Sequence, residues 1–220
     1  MTSYTIDINN KPFIIDAGVH GYYEDKQKRL HSRKTSSHNV LDIKDAEQSN
    51  IWSIFRLGKS AFIQSREIIK SHSCQVLTIK YKAFPSLGWV KCTRVVIFSL
   101  DFFGVIVVDL AEIHHGEMNS HIVIDPLFDI IESDNSILIS DDKKNYQVNS
   151  LNSIKVTPHE IFKEMGKTEQ TSKIVFTDSK KINDNNFCIS YSIGQEESGF
   201  AFDITENQII VSNGLVVDLV

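Results

Sequence analysis

Residues 13–49 read FIIDAGVHGYYEDKQKRLHSRKTSSHNVLDIKDAEQS. The stretch opens on the apolar run Phe13-Ile14-Ile15, fed by the turn Lys11-Pro12 and punctuated afterwards by Gly18 and Gly21, so Asp16 is expected at the end of a strand. Further on, Val40, Leu41 and Ile43 suit a second strand, with His38 at its start. An acid and an imidazole at neighbouring strand ends can face one another. A carboxylate and a neutral imidazole are both zinc ligands, but a zinc site takes three or four groups from the protein. The alternative is that Asp16 caps its turn and His38 bonds to nearby backbone.

Between these two strands lies a connection, Gly18 to Ser37, that is long for a compact domain and carries most of the positive charge of the first forty residues. Loops longer than about 12 residues are usually functional or mobile. Lys26, Lys28, Arg29, Arg33 and Lys34 run against the overall net charge of −5. That negative balance excludes a general nucleic-acid binder, which needs a basic surface to neutralise phosphates. Tyr22, Tyr23 and His20 stand beside the basic run as candidates for stacking on a ligand or for proton transfer.

Working outward, Tyr4, Ile6 and Ile8 alternate with polar neighbours and predict a strand that forms a hairpin with Phe13 to Asp16 across Asn9-Asn10. Strands are expected over Ile51–Leu57, Phe62–Ser71, Cys74–Tyr81, Trp89–Phe98, Phe103–Ile113 and Met118–Ile124, the last stopped by Asp125-Pro126. Eight shorter ones follow: Ser136–Ser140, Tyr146–Asn149, Ser153–Val156, Ile174–Thr177, Phe187–Ser192, Phe200–Ile204, Gln208–Val211 and Leu215–Leu219. Only Pro158 to Met165 reads as a short helix, with Thr157 as its cap and Glu160 three residues after. His121 is expected to pack or to face solvent. Strands without intervening helices pair antiparallel, so the fold class is all-β: one domain over residues 1–220, a large antiparallel β-sandwich.

The composition is that of a globular chain, 41% hydrophobic and 23% charged, with no apolar run near the roughly 20 residues that span a bilayer as a helix. Cys74, Cys92 and Cys188 have no metal-binding spacing and are expected to be free and buried. No export signal is evident at the N-terminus.

The ordered series I-I-D-A-G-x-x-G-Y, a basic run with R-x-x-x-x-H-N-V, then D-A-E-Q-S resembles the heparinase II/III family of polysaccharide lyases. The positions that carry it are Asp16, Gly18, Arg29, Arg33, His38, Asn39, Gln48 and Ser49, and the match is specific from Tyr4 to about Trp52. The resemblance implies a supersandwich-like C-terminal β-domain of enzymes that cleave uronic-acid polymers by β-elimination. It also implies a zinc ion with Asp16 and His38 as two of its ligands, and an acidic polysaccharide bound by Arg29, Arg33, Lys34, Tyr22 and Asn39. The family's upstream H-x-H-x-D motif and its N-terminal helical toroid have no counterpart in these residues, so the metal site is expected to be incomplete. A truncated domain, inactive alone, is the first expectation. The other is a carbohydrate-binding or structural accessory domain that pairs with a separate toroid subunit or forms a homo-oligomer. Members of the family are often periplasmic or secreted.

Overall fold

Asn9 and Asn10 take positive φ, 51° and 61°, the backbone that a two-residue hairpin with the right twist demands. They join β1 (Ile6–Ile8) to β2 (Lys11–Ile15). In the computed structural model this hairpin begins a six-stranded sheet that also holds β3 (Leu41–Ile43), β8 (Met118–Ile124), β12 (Ser153–Ile161) and β13 (Glu169–Thr177). Its order is β1-β2-β8-β13-β12, with β3 beside β8. The structure describes residues 2–22, 25–114, 116–133, 136–141, 143–183, 186–195, 201–205 and 208–219.

A nine-stranded sheet faces the first. The meander β4 (Phe62–Lys70), β5 (Cys74–Ala83), β6 (Val90–Ser99) and β7 (Gly104–Glu112) is as the apolar runs predict. It continues through β15 (Asn186–Gln195), β11 (Asn145–Ser150), β10 (Ile137–Ser140) and β9 (Asp129–Glu132), with β14 (Lys180–Lys181) on β15. Every ladder is antiparallel. Between the sheets lies the main core, centred on Phe13, whose ring meets Phe128 at 4.9 Å and Tyr146 at 5.0 Å. A third sheet, β16 (Phe202–Ile204), β17 (Gln208–Val211) and β18 (Val216–Asp218), covers the outer face of the large one. Ile209, Val211 and Val217 pack there on Val95, Ile97, Ile106 and Val108. Burial on both faces explains why β7 reads GVIVVDLAE without polar alternation.

Two expected elements differ. Pro158 to Met165 does not form a helix: Thr157 to Ile161 extends β12, where Pro158 sits opposite Ser172. β12 is the edge of its sheet, so proline's missing N–H removes no ladder bond, and Ile161 and Phe162 gain full burial. The local capping signal is overridden by that packing. Among the described residues the one α-helix, α1 (Lys26–His31), lies instead inside the long polar connection, with Asp25 accepting hydrogen bonds from the N–H groups of Gln27 and Lys28 at 2.9 and 3.0 Å. Ile51–Leu57 is not a strand but an irregular turn closed by a single bridge between its ends. The start of the strand expected at Phe200 lies outside the described residues, and the three cysteines are free and buried. Among the described residues no helix is long and apolar enough to cross a membrane.

Candidate functional site

β2 delivers Asp16 just past its last residue, and the chain then docks on the end of β12, where Phe162 N–H donates to the Ala17 carbonyl at 2.7 Å. Gly18 follows with φ +72°, and any Cβ there would collide with the Phe162 carbonyl oxygen. Only glycine fits this passage. On the other side, a single 3-10 turn over Thr35–Ser37 leads into His38, held by its N–H to the Thr35 carbonyl at 3.1 Å. That turn is fastened from below by Glu47, which accepts from Thr35 N–H at 2.6 Å, and by Thr35 Oγ1, which accepts from Gln48 N–H at 2.8 Å.

Asp16 and His38 therefore meet. His38 Nδ1 lies 3.0 and 2.9 Å from the two carboxylate oxygens, and Ser3 Oγ donates to the same group at 2.8 Å. Burial works to raise the Asp16 carboxyl, but the bonds from His38, Ser3 and the Gly18 N–H outweigh it and hold Asp16 below the usual carboxylate range. An ionised carboxylate only accepts, so Nδ1 carries the proton. Nε2 of His38 is left buried and without a hydrogen-bond partner among the described residues. Asp16 thus orients the imidazole, as a carboxylate does behind many histidine bases and ligands.

This arrangement does not fit a zinc ion by itself. Among the described residues no group of three His, Cys, Asp or Glu side chains converges to hold a metal. The donor set among the described residues falls short of the three groups a zinc site requires.

Asn39 belongs to the interior rather than to a binding surface. Its side chain is fully buried: Nδ2 donates to the carbonyls of Tyr4 and Ile15, both at 2.8 Å, and Oδ1 accepts from Val123 N–H at 2.8 Å. It ties β1, β2 and β8 together. Gln48 likewise donates to the Leu41 carbonyl at 2.8 Å, and Ser49 Oγ accepts from Ala61 N–H at 2.9 Å. Beneath them Arg94 and Asp109, both buried, form a bidentate pair at 2.7 Å, and Arg94 also donates to the carbonyls of Thr2 and Asn39. The sequence signal for this pair is a cation, Arg94, running straight into apolar residues and an anion, Asp109, running straight out of them inside VKCTRVVIFS and GVIVVDLAE, whereas Lys91 and Glu112 stand near the strand ends. His121 is buried and bonded to Asp42 at 3.2 Å, which answers the choice between packing and solvent. His20 is also buried, edge-on to Phe162.

The cations of the connection do gather on one face. Arg29 lies over the exposed Tyr22 ring at 5.1 Å, and Tyr22 stacks on Phe55 with centroids 6.4 Å apart. Burial and the neighbouring Arg29 charge lower the Arg33 pKa from its ordinary value. Nε of Arg29, and Nε and Nη2 of Arg33, are buried and have no hydrogen-bond partner among the described residues. Beside them, Lys28, His31 and Lys34 line a shallow cavity of about 460 Å³ with Glu160 on its far wall. Tyr23 lies outside the described residues. The helix is pinned to the sheet by Lys28 Nζ, which donates to Thr168 Oγ1 at 2.7 Å, and by Lys173 Nζ, which donates to the Ser36 carbonyl at 2.9 Å.

With this geometry in place, comparison with known proteins assigns the family: residues 1–203 match "Heparinase II/III-like, C-terminal". The chain belongs to that family. The heparan sulfate lyase HepC from Pedobacter heparinus is similar in structure at a TM-score of 0.73 and 18% identity, over 99% of this chain and 36% of that one. A heparinase III gene product gives 0.71 and 19%, again over 99% and 36%. A further heparinase III structure gives 0.71 and 16%, over 99% and 35%. At such identity the likeness is one of fold, and this chain spans about a third of the length of those enzymes. No curated protein matches the sequence.

Proposed function

We propose that this chain is the β-sandwich part of an acidic-polysaccharide lyase system, and that it binds the polymer through the surface of Tyr22, Arg29, Arg33 and Lys34. The single observation that supports this is the pair of adjacent guanidinium groups whose Nε and Nη2 donors have no partner among the described residues, one of them packed on an aromatic ring. Guanidinium forks match carboxylate and sulfate in bidentate fashion, and a tyrosine ring beside them offers a stacking face for a sugar. β-Elimination needs a base at the carbon next to the uronate carboxylate, neutralisation of that carboxylate, and a proton for the leaving oxygen. The loop arginines suit the second requirement. His38 has the orientation of a base, but its side chain is only 11% exposed and the 220 residues taken alone do not present it to a polymer.

Binding without cleavage is therefore the expected behaviour of the isolated chain, with the reaction completed by a toroid subunit or segment, since this chain spans only 36% of the similar heparinase III gene product. The test is to incubate the purified chain with heparan sulfate and follow the ultraviolet absorbance of unsaturated uronate ends, then to pass the same protein over immobilised polymer. Retention with no rise in absorbance is expected. Steady product formation sinks the inactive half of the proposal, and passage without retention at low salt sinks the binding half.

A further inference from the structure

On the far side of the sandwich, the small sheet covers only part of the nine-stranded sheet's outer face. Where it stops, a cavity of about 460 Å³ opens over β4, β5, β6, β7 and β15, within the ~300–1,000 Å³ typical of small-ligand pockets. Its floor is apolar, with Leu110, Ile182 and Leu219; its walls carry Gln64, Lys80, Lys91, Thr93, Glu112 and Asn186.

The strand registers show how these groups come together. Lys82, Lys91, Glu112 and Asn186 form one row across adjacent strands, and Lys80, Thr93 and Leu110 form the next. Lys82 thus stands directly opposite Lys91, a like-charge arrangement that weakens a sheet. Glu112 accepts from Lys91 at 3.0 Å and offsets one of the two charges. Lys80, in the neighbouring row, has no carboxylate within ion-pairing distance among the described residues, and Glu67 lies one row farther on, opposite Thr78. At the edge, the ladder between β4 and β5 skips from Ile63 to Ser65, so Gln64 is the extra residue of a bulge, and its side chain lines the cavity. Bulges re-aim side chains in this way next to binding sites. Folding gains nothing visible from three lysines clustered against one carboxylate beside an amide that leaves the strand ladder.

We propose that this outer-face cavity is a second saccharide site, which seats one carboxylated or sulfated sugar unit of an acidic polysaccharide on the apolar floor. Lys80 meets its anionic group, while Gln64, Thr93 and Asn186 bond its hydroxyls. The inference rests on the polysaccharide reading above, but it concerns a different face of the molecule, since Lys80 and Lys91 point away from the sheet that carries Asp16 and His38.

The experiment uses the full 220-residue chain and a heparin-derived hexasaccharide at about 150 mM salt, where long-range attraction between exposed charges is largely screened. Calorimetry on the unmodified chain, Lys80→Glu, Thr93→Ala and Arg29→Ala/Arg33→Ala is combined with backbone amide NMR. Two sites per chain are expected, with shifts at Thr93 and Asn186 upon binding. Lys80→Glu and Thr93→Ala should each weaken one site at least tenfold and leave the other unchanged, and the double arginine variant should do the reverse. One site lost only in the arginine variant overturns the cavity and leaves the loop reading intact; one site lost only in Lys80→Glu does the opposite. Equal displacement of the sugar by inorganic sulfate and by a thymidine oligonucleotide, with no shift at Asn186, reduces the cavity to a general cation patch and also overturns it. Because Lys80 and Thr93 lie at the rim, both variants should keep the melting temperature of the parent.

Discussion

Arg94 and Asp109 show how the candidate site is held at the scale of single residues. A buried ion pair is weak evidence for net stability, but removing one partner strands the other charge and costs about 3–5 kcal/mol. Arg94→Met should therefore unfold the chain at markedly lower denaturant, and because Arg94 also donates to the Asn39 carbonyl, the His38 resonances should shift with it. Arg94→Met/Asp109→Leu should recover most of the loss; a double variant as unstable as the single one would contradict this account. Asp16 and His38 carry the second prediction at this scale. Their contact is a hydrogen bond in a donor set too small for zinc, so dialysis against EDTA should leave the melting temperature unchanged. A fall of several degrees, reversed by zinc, would contradict it. Asp16 and His38 were legible as a facing pair because turns and strand starts fix them. The burial of Asn39 was not, because nothing in the dipeptide His38-Asn39 distinguishes an amide that bridges three strands from one that meets a ligand.

Among the elements, α1 and the edge strand β12 decide whether the cationic face is presented. They meet through imidazoles: His31 on the helix and His159 on the strand have ring centroids 5.6 Å apart. Burial, then the charges of Lys173 and His31, push His159 down to about 4. The sign follows from linkage. Between the unfolded value near 6.5 and 4 the unfolded chain binds a proton that the folded chain excludes, so stability is complete above about pH 6.5 and falls as pH drops towards 4. The contribution of this one group is at most about 3 kcal/mol. Urea midpoints measured from pH 7 to pH 4 should decline less steeply for His159→Leu than for the parent. Identical slopes would show that His159 does not resist protonation in the folded chain. The sequence conveyed the meander and the β1–β2 hairpin because their turn residues and alternation act locally. It misplaced the helix because Thr157-Pro158-His159-Glu160 satisfies every local start signal, while the ladder to β13 that overrides it draws on partners 8 to 16 residues ahead, outside the few residues a capping signal reads.

At the scale of the whole molecule, two sheets and a third on the outside create two polar faces that the strands' own packing does not need. A negative chain with two of its five arginines and three lysines gathered on one long connection should draw acidic polymers to that connection, and it should do so less as salt rises. The sandwich was readable from strands without helices between them. The third layer was not, since β16 to β18 look like any other short strands until the continuous apolar run of β7 is seen to be buried on both faces. The most direct test of the central claim is calorimetric titration of the isolated chain with a heparan sulfate oligosaccharide, alongside Arg29→Ala/Arg33→Ala. The account predicts a loop site that weakens at least tenfold in the double variant, whose melting temperature stays that of the parent. Unchanged affinity at every site in that variant would contradict it.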